Sequence, residues 1–152
     1  MKWTTKDIDL YLQSKEYVDT LILPLIPVTW GNHLKQTVEA GEFATVITQE
    51  IERQFKGRVV LSPAFTYTDS EGTEAALTRL NTWSQDASLN GFRHVFLITT
   101  AQEWKSFESE LKGSLISFPS LPLEHLDHQL RQSILQDQIK GLITIFMDKW
   151  RG

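Results

Sequence analysis

The chain has 152 residues, 41% of them hydrophobic, and a formal net charge of −4. That length predicts one domain with a substantial core, and the composition is typical of soluble globular proteins rather than disordered ones. Since there is no cysteine, disulfides, thiolate catalysis and cysteine-ligated zinc are excluded. The basic residues are scattered, which argues against nucleic acid as a partner. No apolar run is long enough for a signal segment or a membrane span, so we expect a cytoplasmic protein with no membrane partner.

Helical and strand-like segments alternate along the chain. In order, the pattern predicts a helix capped by Thr4 or Thr5, a strand at residues 21–28, a helix at about 36–56, a strand at 58–62, a loop at 63–72, a helix at about 74–89, a strand at 92–99, a helix at about 102–112, a strand at 115–118 and a helix at about 123–150. This alternation predicts a three-layer α/β domain, in which a mostly parallel sheet of about four strands lies between helices.

Glycine and proline mark several of these boundaries. Gly57, Gly91 and Gly113 each separate a helical pattern from an apolar run, and we expect them to take the left-handed conformation that ends a helix. Pro24 and Pro27 remove ladder donors from the first strand, which predicts an edge position or one irregular end.

The last predicted helix has an alternative. Gly141 follows a lysine, as at the other junctions, so residues 142–146 could instead form a fifth strand. The near-helical spacing of the apolar residues favours the helix. Within the other helices we expect Trp83 to be buried, and a solvated face to hold the carboxylates of Glu39, Glu42, Glu50 and Glu52.

Ligands of open α/β sheets bind beyond the carboxyl ends of the strands. Polar and aromatic residues fill the four loops expected at this rim. The candidate ligand-binding residues are Trp30, Asn32, His33, Tyr67, Asp69, Thr100, Glu103 and Trp104. Aromatic residues there are typical of a pocket or a partner surface, and ordinary loop residues and helix caps are the alternative interpretation.

No catalytic or metal-binding set is complete in the sequence. There is neither a nucleophile elbow nor a glycine-rich phosphate loop. His33 alone cannot hold a metal ion, and His94 is more typical of a packed or edge histidine. His125 and His128 are three residues apart, so both are expected on one solvated face of the last helix. The sequence therefore assigns no catalytic residue, no metal ligand and no cofactor.

Two family resemblances can be stated. The opening Met1-Lys2-Trp3 and the segments at residues 16–20 and 24–28 resemble the YpiF-like family of uncharacterised bacterial proteins, which implies no particular activity. A more distant resemblance, over roughly residues 20–105, is to the creatininase family of metal-dependent α/β hydrolases. It rests on residues 27–34, on the helix that follows, and on residues 90–98, which are similar to the third strand of that family.

The departures from the creatininase pattern concern its metal ligands. The ligand glutamate and first histidine have no match near Trp30, and the ligand aspartate falls near Glu39. The Gly-His-Gly-Gly-Asn of the family is replaced by residues 100–104. Only His33 matches, so the resemblance implies a shared scaffold with a degenerate active site.

These observations favour a non-catalytic binding or interaction domain, with another protein, a second copy or a small molecule at the rim. One alternative is a hydrolase with a rewired or single-metal site, in which His33, Asp69 and Glu103 meet at the strand ends. The other is a module that binds an anion or a nucleotide at helix N-termini beside Thr99 and Thr100.

Overall fold

The computed structural model describes residues 1–152 and has helices on both faces of a parallel sheet. Its elements are α1 (Thr5–Gln13), β1 (Thr20–Val28), α2 (Leu34–Gln54), β2 (Val59–Leu61), β3 (Phe65–Thr68), α3 (Thr73–Leu89), β4 (His94–Thr99), β5 (Ser114–Ser117) and α4 (His128–Arg151). A 3₁₀ stretch, Gln102–Glu110, replaces the predicted fourth α-helix. The predicted α/β class is confirmed. No helix has both the length and the apolar character needed to cross a bilayer.

Every strand pairing is parallel, and β1 lies inside the sheet. The sheet order is β2-β1-β4-β5, with β3 also paired to β1. The register joins Ile22 to Leu61 but Leu25 to Phe65, so β3 continues the line of β2 after one extra residue. The predicted edge position of β1 is therefore wrong.

The two prolines of β1 lie where ladder bonds are interrupted. The Ser62 amide donates to the Ile22 carbonyl oxygen, so even-numbered residues of β1 direct their backbone toward β2. Pro24 thus faces the bulge between β2 and β3. Odd-numbered residues face β4, where the Thr99 hydroxyl donates to the Leu25 carbonyl oxygen. Pro27 lies past the end of β4, so its missing N–H costs no sheet bond.

Strand β3 occupies part of the predicted loop at residues 63–72, so the sheet has five strands instead of about four. Phe65 and Tyr67 are buried, whereas Thr66 and Thr68 are exposed. This alternation of aromatic and β-branched residues was a strand signal in the sequence. Pro63 and the turn-forming residues 68–72 on either side favoured the prediction of a loop.

The two faces of the sheet have separate cores. Leu21, Leu23 and Leu25 pack with α1, α3 and Trp104 on one face. Ile22 packs with α2 and α4 on the other face. Because successive strand residues point to opposite faces, the odd and even positions of β1 contact different helices.

The amino-terminal residue extends the sheet beside β2. The Leu61 amide donates to the Met1 carbonyl oxygen over 2.8 Å, and the Met1 amino group donates to the Val59 carbonyl oxygen over 2.6 Å. The same amino group lies 3.4 Å from Glu52 Oε1, and both groups are almost fully buried. The expectation that Glu52 lies on a solvated face is therefore wrong, because it pairs with a buried cation.

Only one of the three junction glycines is left-handed. Gly91 has φ of 99°, whereas neither Gly57 nor Gly113 has a positive φ. Gly113 is required for a different reason. A Cβ there would lie 2.9 Å from Leu97 Cγ and 3.0 Å from the Val95 carbonyl oxygen, so a close approach to β4 excludes a side chain.

Helix α4 begins later than predicted, because Asp127 caps it by accepting the Leu130 amide over 2.8 Å. His125 lies before the helix with φ of 70°, so it does not share a helical face with His128. Residues 142–146 are helical, which confirms the favoured alternative.

In α3 the expected burial of Trp83 is wrong. Its side chain is 40% exposed and stacks edge-on against Phe65. Ser84 takes the buried position, since it continues the four-residue spacing from Ala76 and Leu80.

Candidate binding site at the strand ends

The sheet divides the predicted rim into two sides. Val28 and Thr68 are register partners at the ends of β1 and β3, so the loops after these strands start together. Tyr67 and Trp104 belong to the core on the α1 and α3 face. Trp30 instead lines a groove against α2. The rim is therefore two distinct places.

On the first side, three predicted site residues form a hydrogen-bonded chain. The indole Nε1 of Trp104 donates to the Tyr67 hydroxyl over 2.8 Å, and that hydroxyl donates to Glu103 Oε1 over 3.5 Å. The Trp104 ring is fully buried and packs edge-on against the Tyr67 ring. Tyr67 and Trp104 fill this core at the carboxyl ends of the strands.

These hydrogen bonds have a structural role, because the Tyr67 hydroxyl does not ionise at neutral pH. Burial raises the pKa of Tyr67 well above its ordinary range, and the nearby carboxylates of Glu103 and Asp69 raise it further. The hydroxyl therefore stays protonated at neutral pH. A general base needs a pKa near the working pH, so Tyr67 is unsuited to that role.

Tyr67→Phe is expected to lower the free energy of unfolding by about 1–3 kcal/mol, because the buried Trp104 N–H loses its acceptor. Urea denaturation measures the change. Tyr17→Phe is the matched control, since it removes the same hydroxyl from a side chain that is 70% exposed. Equal stabilities for the two variants would show that the Trp104–Tyr67 bond contributes nothing.

The remaining rim residues do not join this network. The Thr100 hydroxyl donates to the Ala40 carbonyl oxygen of α2 over 3.3 Å. Asn32, His33 and Asp69 are exposed. Nowhere do three or more histidine, aspartate and glutamate side chains gather as a metal ion would require. The rim as found offers no converged acid–base set.

On the second side, an apolar groove runs between the end of β1 and α2. We call it the Trp30 groove, and it has a volume of about 470 Å³. Its principal residues are Ile26, Val28, Trp30, Leu34, Val38, Glu42 and Val46. Gly41 permits the helix to approach, because a Cβ there would lie 3.2 Å from Ile26 Cγ2. This volume is in the range of ligand-binding clefts.

The groove side chains are unusually open to solvent. Trp30 is 82% exposed and Val38 is 49% exposed, and Leu34 and Val46 are also exposed. Exposed apolar side chains that cluster in one groove are typical of interaction sites, whereas singly scattered ones are ordinary surface. A larger groove of about 680 Å³ lies between α2, α4 and the amino-terminal residues, but charged side chains such as Lys2 and Arg53 line it.

Of the groove residues, sequence reasoning found only Trp30. Three of the others, Leu34, Val38 and Val46, form a second apolar stripe on α2. It lies beside the buried stripe of Phe43, Ile47 and Ile51. A second apolar stripe on one helix is visible in the sequence and indicates an additional contact surface, since a surface helix ordinarily has a single stripe that faces the core.

Comparison with known proteins places the chain in a family without an assigned activity. The family model described as "Protein of unknown function (DUF2487)" matches residues 9–150. The "Uncharacterized protein YpiF" of Bacillus subtilis (strain 168) is 36% identical over 151 residues, which are 99% of this chain and 98% of that protein. No solved structure matches. The resemblance to the YpiF-like family is confirmed, and the chain belongs to the DUF2487 family of proteins of unknown function.

Proposed function

We propose that the chain is a non-catalytic protein-interaction domain and that the Trp30 groove is its docking surface. The observation that carries the proposal is an indole, 82% exposed, that lies in the short connection between β1 and α2 beside aliphatic side chains of both elements. Covering apolar surface is favourable by about 25 cal/mol per Å². Tryptophan is also the residue type most enriched among interface hot spots.

The other side of the rim supports the non-catalytic part of the proposal. The Trp104 N–H and the Tyr67 hydroxyl bond to each other in the core, so these two polar groups are committed to packing. The hydrolase alternative needs His33 to join Asp69 and Glu103, but nowhere in the structure do three such side chains gather. The anion-binding alternative would use Thr100, whose hydroxyl already donates to α2.

The proposal includes a cytoplasmic location and a degenerate creatininase-like scaffold. The scaffold is supported by the resemblance in residues 27–34 and 90–98 and by the parallel pairing of β1 and β4, the strands to which these segments contribute. In this interpretation His33 is a remnant of a metal set, and the groove serves binding.

Site-specific photocross-linking in the producing cell tests the proposal. A photoreactive phenylalanine analogue at Val38, inside the groove, is expected to give a discrete adduct with another protein. The same analogue at Leu89, which is 77% exposed on α3, is the matched control. The Val38 adduct should disappear in a chain that also carries Trp30→Ala.

Trp30→Ala removes a side chain that makes few contacts within the chain, so the variant is expected to fold with nearly unchanged stability. Its circular dichroism and its urea midpoint are therefore part of the same experiment. Identical adducts from Val38 and Leu89, or a Val38 adduct that survives Trp30→Ala, would contradict the proposed surface.

A further inference from the structure

We propose that the occupant of the Trp30 groove is an amphipathic helix of a protein partner, with aliphatic anchors on one face and a lysine or arginine that pairs with Glu42. This inference rests on the proposed function, because it names the kind of partner that the same groove takes. Three features of the groove point to it: the backbone of β1, the length of the α2 stripe and the charge of Glu42.

The backbone of β1 cannot accept an added strand at the groove. One edge of β1 is already paired with β3 from Leu25 to Val28. On the other edge, past the end of β4, the Leu25 carbonyl oxygen accepts the Thr99 hydroxyl. The next residue that faces that side is Pro27, which has no N–H. An extended peptide gains its affinity from such backbone bonds, so strand addition is disfavoured here.

A helix needs no backbone partner, because its own hydrogen bonds are internal. Recognition then falls to side chains, and the groove offers these along α2. From Leu34 to Val46 the exposed stripe extends about 18 Å, at 1.5 Å per residue. Three turns of a partner helix have nearly the same length, with apolar side chains at helical spacing facing the groove. Ile26 and Val28 form the floor beneath that helix.

Glu42 sets the charge of the occupant. It is the only charged residue among those that line the groove. It is exposed and forms neither a hydrogen bond nor an ion pair within the chain, unlike Glu50 on the same helix, which pairs with Arg53. A partner that covers the groove would desolvate this carboxylate, so a cation opposite it is required for complementarity.

A second copy of the chain fits this charge poorly. In a two-fold dimer each copy presents the same surface, so residues near the axis face their own equivalents. If two α2 stripes packed across such an axis, the two Glu42 carboxylates would lie close together. Like charges at an interface centre oppose association. A basic helix from another protein meets the groove without that repulsion.

Two displayed peptide libraries test the inference. The first library holds alanine-rich 16-residue peptides with apolar residues at i, i+3, i+4 and i+7 and random residues elsewhere. The second has the same composition but two central prolines, which forbid a helix. We expect binders from the helical library, enriched in lysine or arginine at one position. Their affinity should fall at least about ten-fold with Trp30→Ala and with Glu42→Lys. It should not fall with the control Asp137→Lys, which makes the same charge change at an exposed position of α4 outside the groove.

The outcomes distinguish a failure of the proposed partner, a basic amphipathic helix, from a failure of the proposed docking surface. Binders that need Trp30 but come only from the proline library would overturn the helix and leave the docking surface intact. Helical binders that ignore Glu42→Lys would overturn the basic residue assigned to the partner, and with it the inference, and would also leave the docking surface intact. A dimer in sedimentation velocity that Trp30→Ala dissolves would assign the groove to a second copy, and would also overturn the inference. Binders from neither library, or none sensitive to Trp30→Ala, would count against the docking surface itself.

Discussion

Glu52→Gln is expected to lower the free energy of unfolding by about 3 kcal/mol at pH 6, because it leaves the buried amino group of Met1 without its anion. The two groups are 3.4 Å apart, and each is at most 3% exposed. Glu50→Gln is the matched control. Glu50 lies two residues away on α2 and pairs with Arg53 at the surface, where such a pair contributes at most about 0.5 kcal/mol.

The pH dependence distinguishes the ion pair from a simple loss of polarity. Burial lowers the pKa of the Met1 amino group below its ordinary value of 8.0, and the Glu52 carboxylate opposes that shift. Without the carboxylate, the folded variant binds fewer protons than its unfolded chain, so its stability rises with pH toward pH 9. Urea denaturation at pH 6 and pH 9 should show the deficit shrinking. A deficit that is equal at both pH values would mean that the ion pair is not its cause.

Gly113→Ala is expected to lower the free energy of unfolding by about 2 kcal/mol. The added Cβ would meet Leu97 Cγ at 2.9 Å and the Val95 carbonyl oxygen at 3.0 Å. Leu97 lies fully buried in the core and cannot move freely, so the contact forces β5 away from β4.

Gly141→Ala provides the control with the opposite sign. Gly141 is exposed within α4 and has nothing within 4 Å of its Cβ position. Alanine there should stabilise the protein by about 1 kcal/mol, because glycine is a poor helix former. The two variants make the same chemical change, and thermal denaturation should move their midpoints in opposite directions. A stable Gly113→Ala variant would show that β4 and β5 are packed more loosely than described.

Local sequence pattern was sufficient for most of the fold. The periodicity of apolar residues and the glycine junctions located the four α-helices and four of the five strands, because each element presents its own face to the core. They also predicted a helix where the chain forms the 3₁₀ stretch Gln102–Glu110. The local pattern could not predict which strands pair with one another. The central position of β1 depends on which strands lie beside it, and the bulge opposite Pro24 is a property of the β2–β3 register. Neither is encoded within β1 itself.

The candidate site also combines features that the local sequence predicts with features that depend on the tertiary fold. Loop position predicts Tyr67, Glu103 and Trp104 at one edge, where the carboxyl ends of parallel strands meet, and the three side chains are hydrogen-bonded to one another. It could not show that the sheet separates them from Trp30. The sequence predicts a solvated Glu52, because glutamate is rarely buried without a partner. That partner, Met1, is distant along the chain, so the sequence pattern around Glu52 does not reveal it. Pair contacts of this kind require the tertiary fold.

The claim that the Trp30 groove is a docking surface is tested most directly by one titration. The partner cross-linked through Val38 is purified, and isothermal calorimetry measures its affinity for the wild type, for Trp30→Ala and for Trp3→Ala, which alters another exposed tryptophan outside the groove. We predict at least about a ten-fold loss of affinity for Trp30→Ala and no change for Trp3→Ala. Equal affinities for the wild type and Trp30→Ala, with both proteins folded, would contradict the claim.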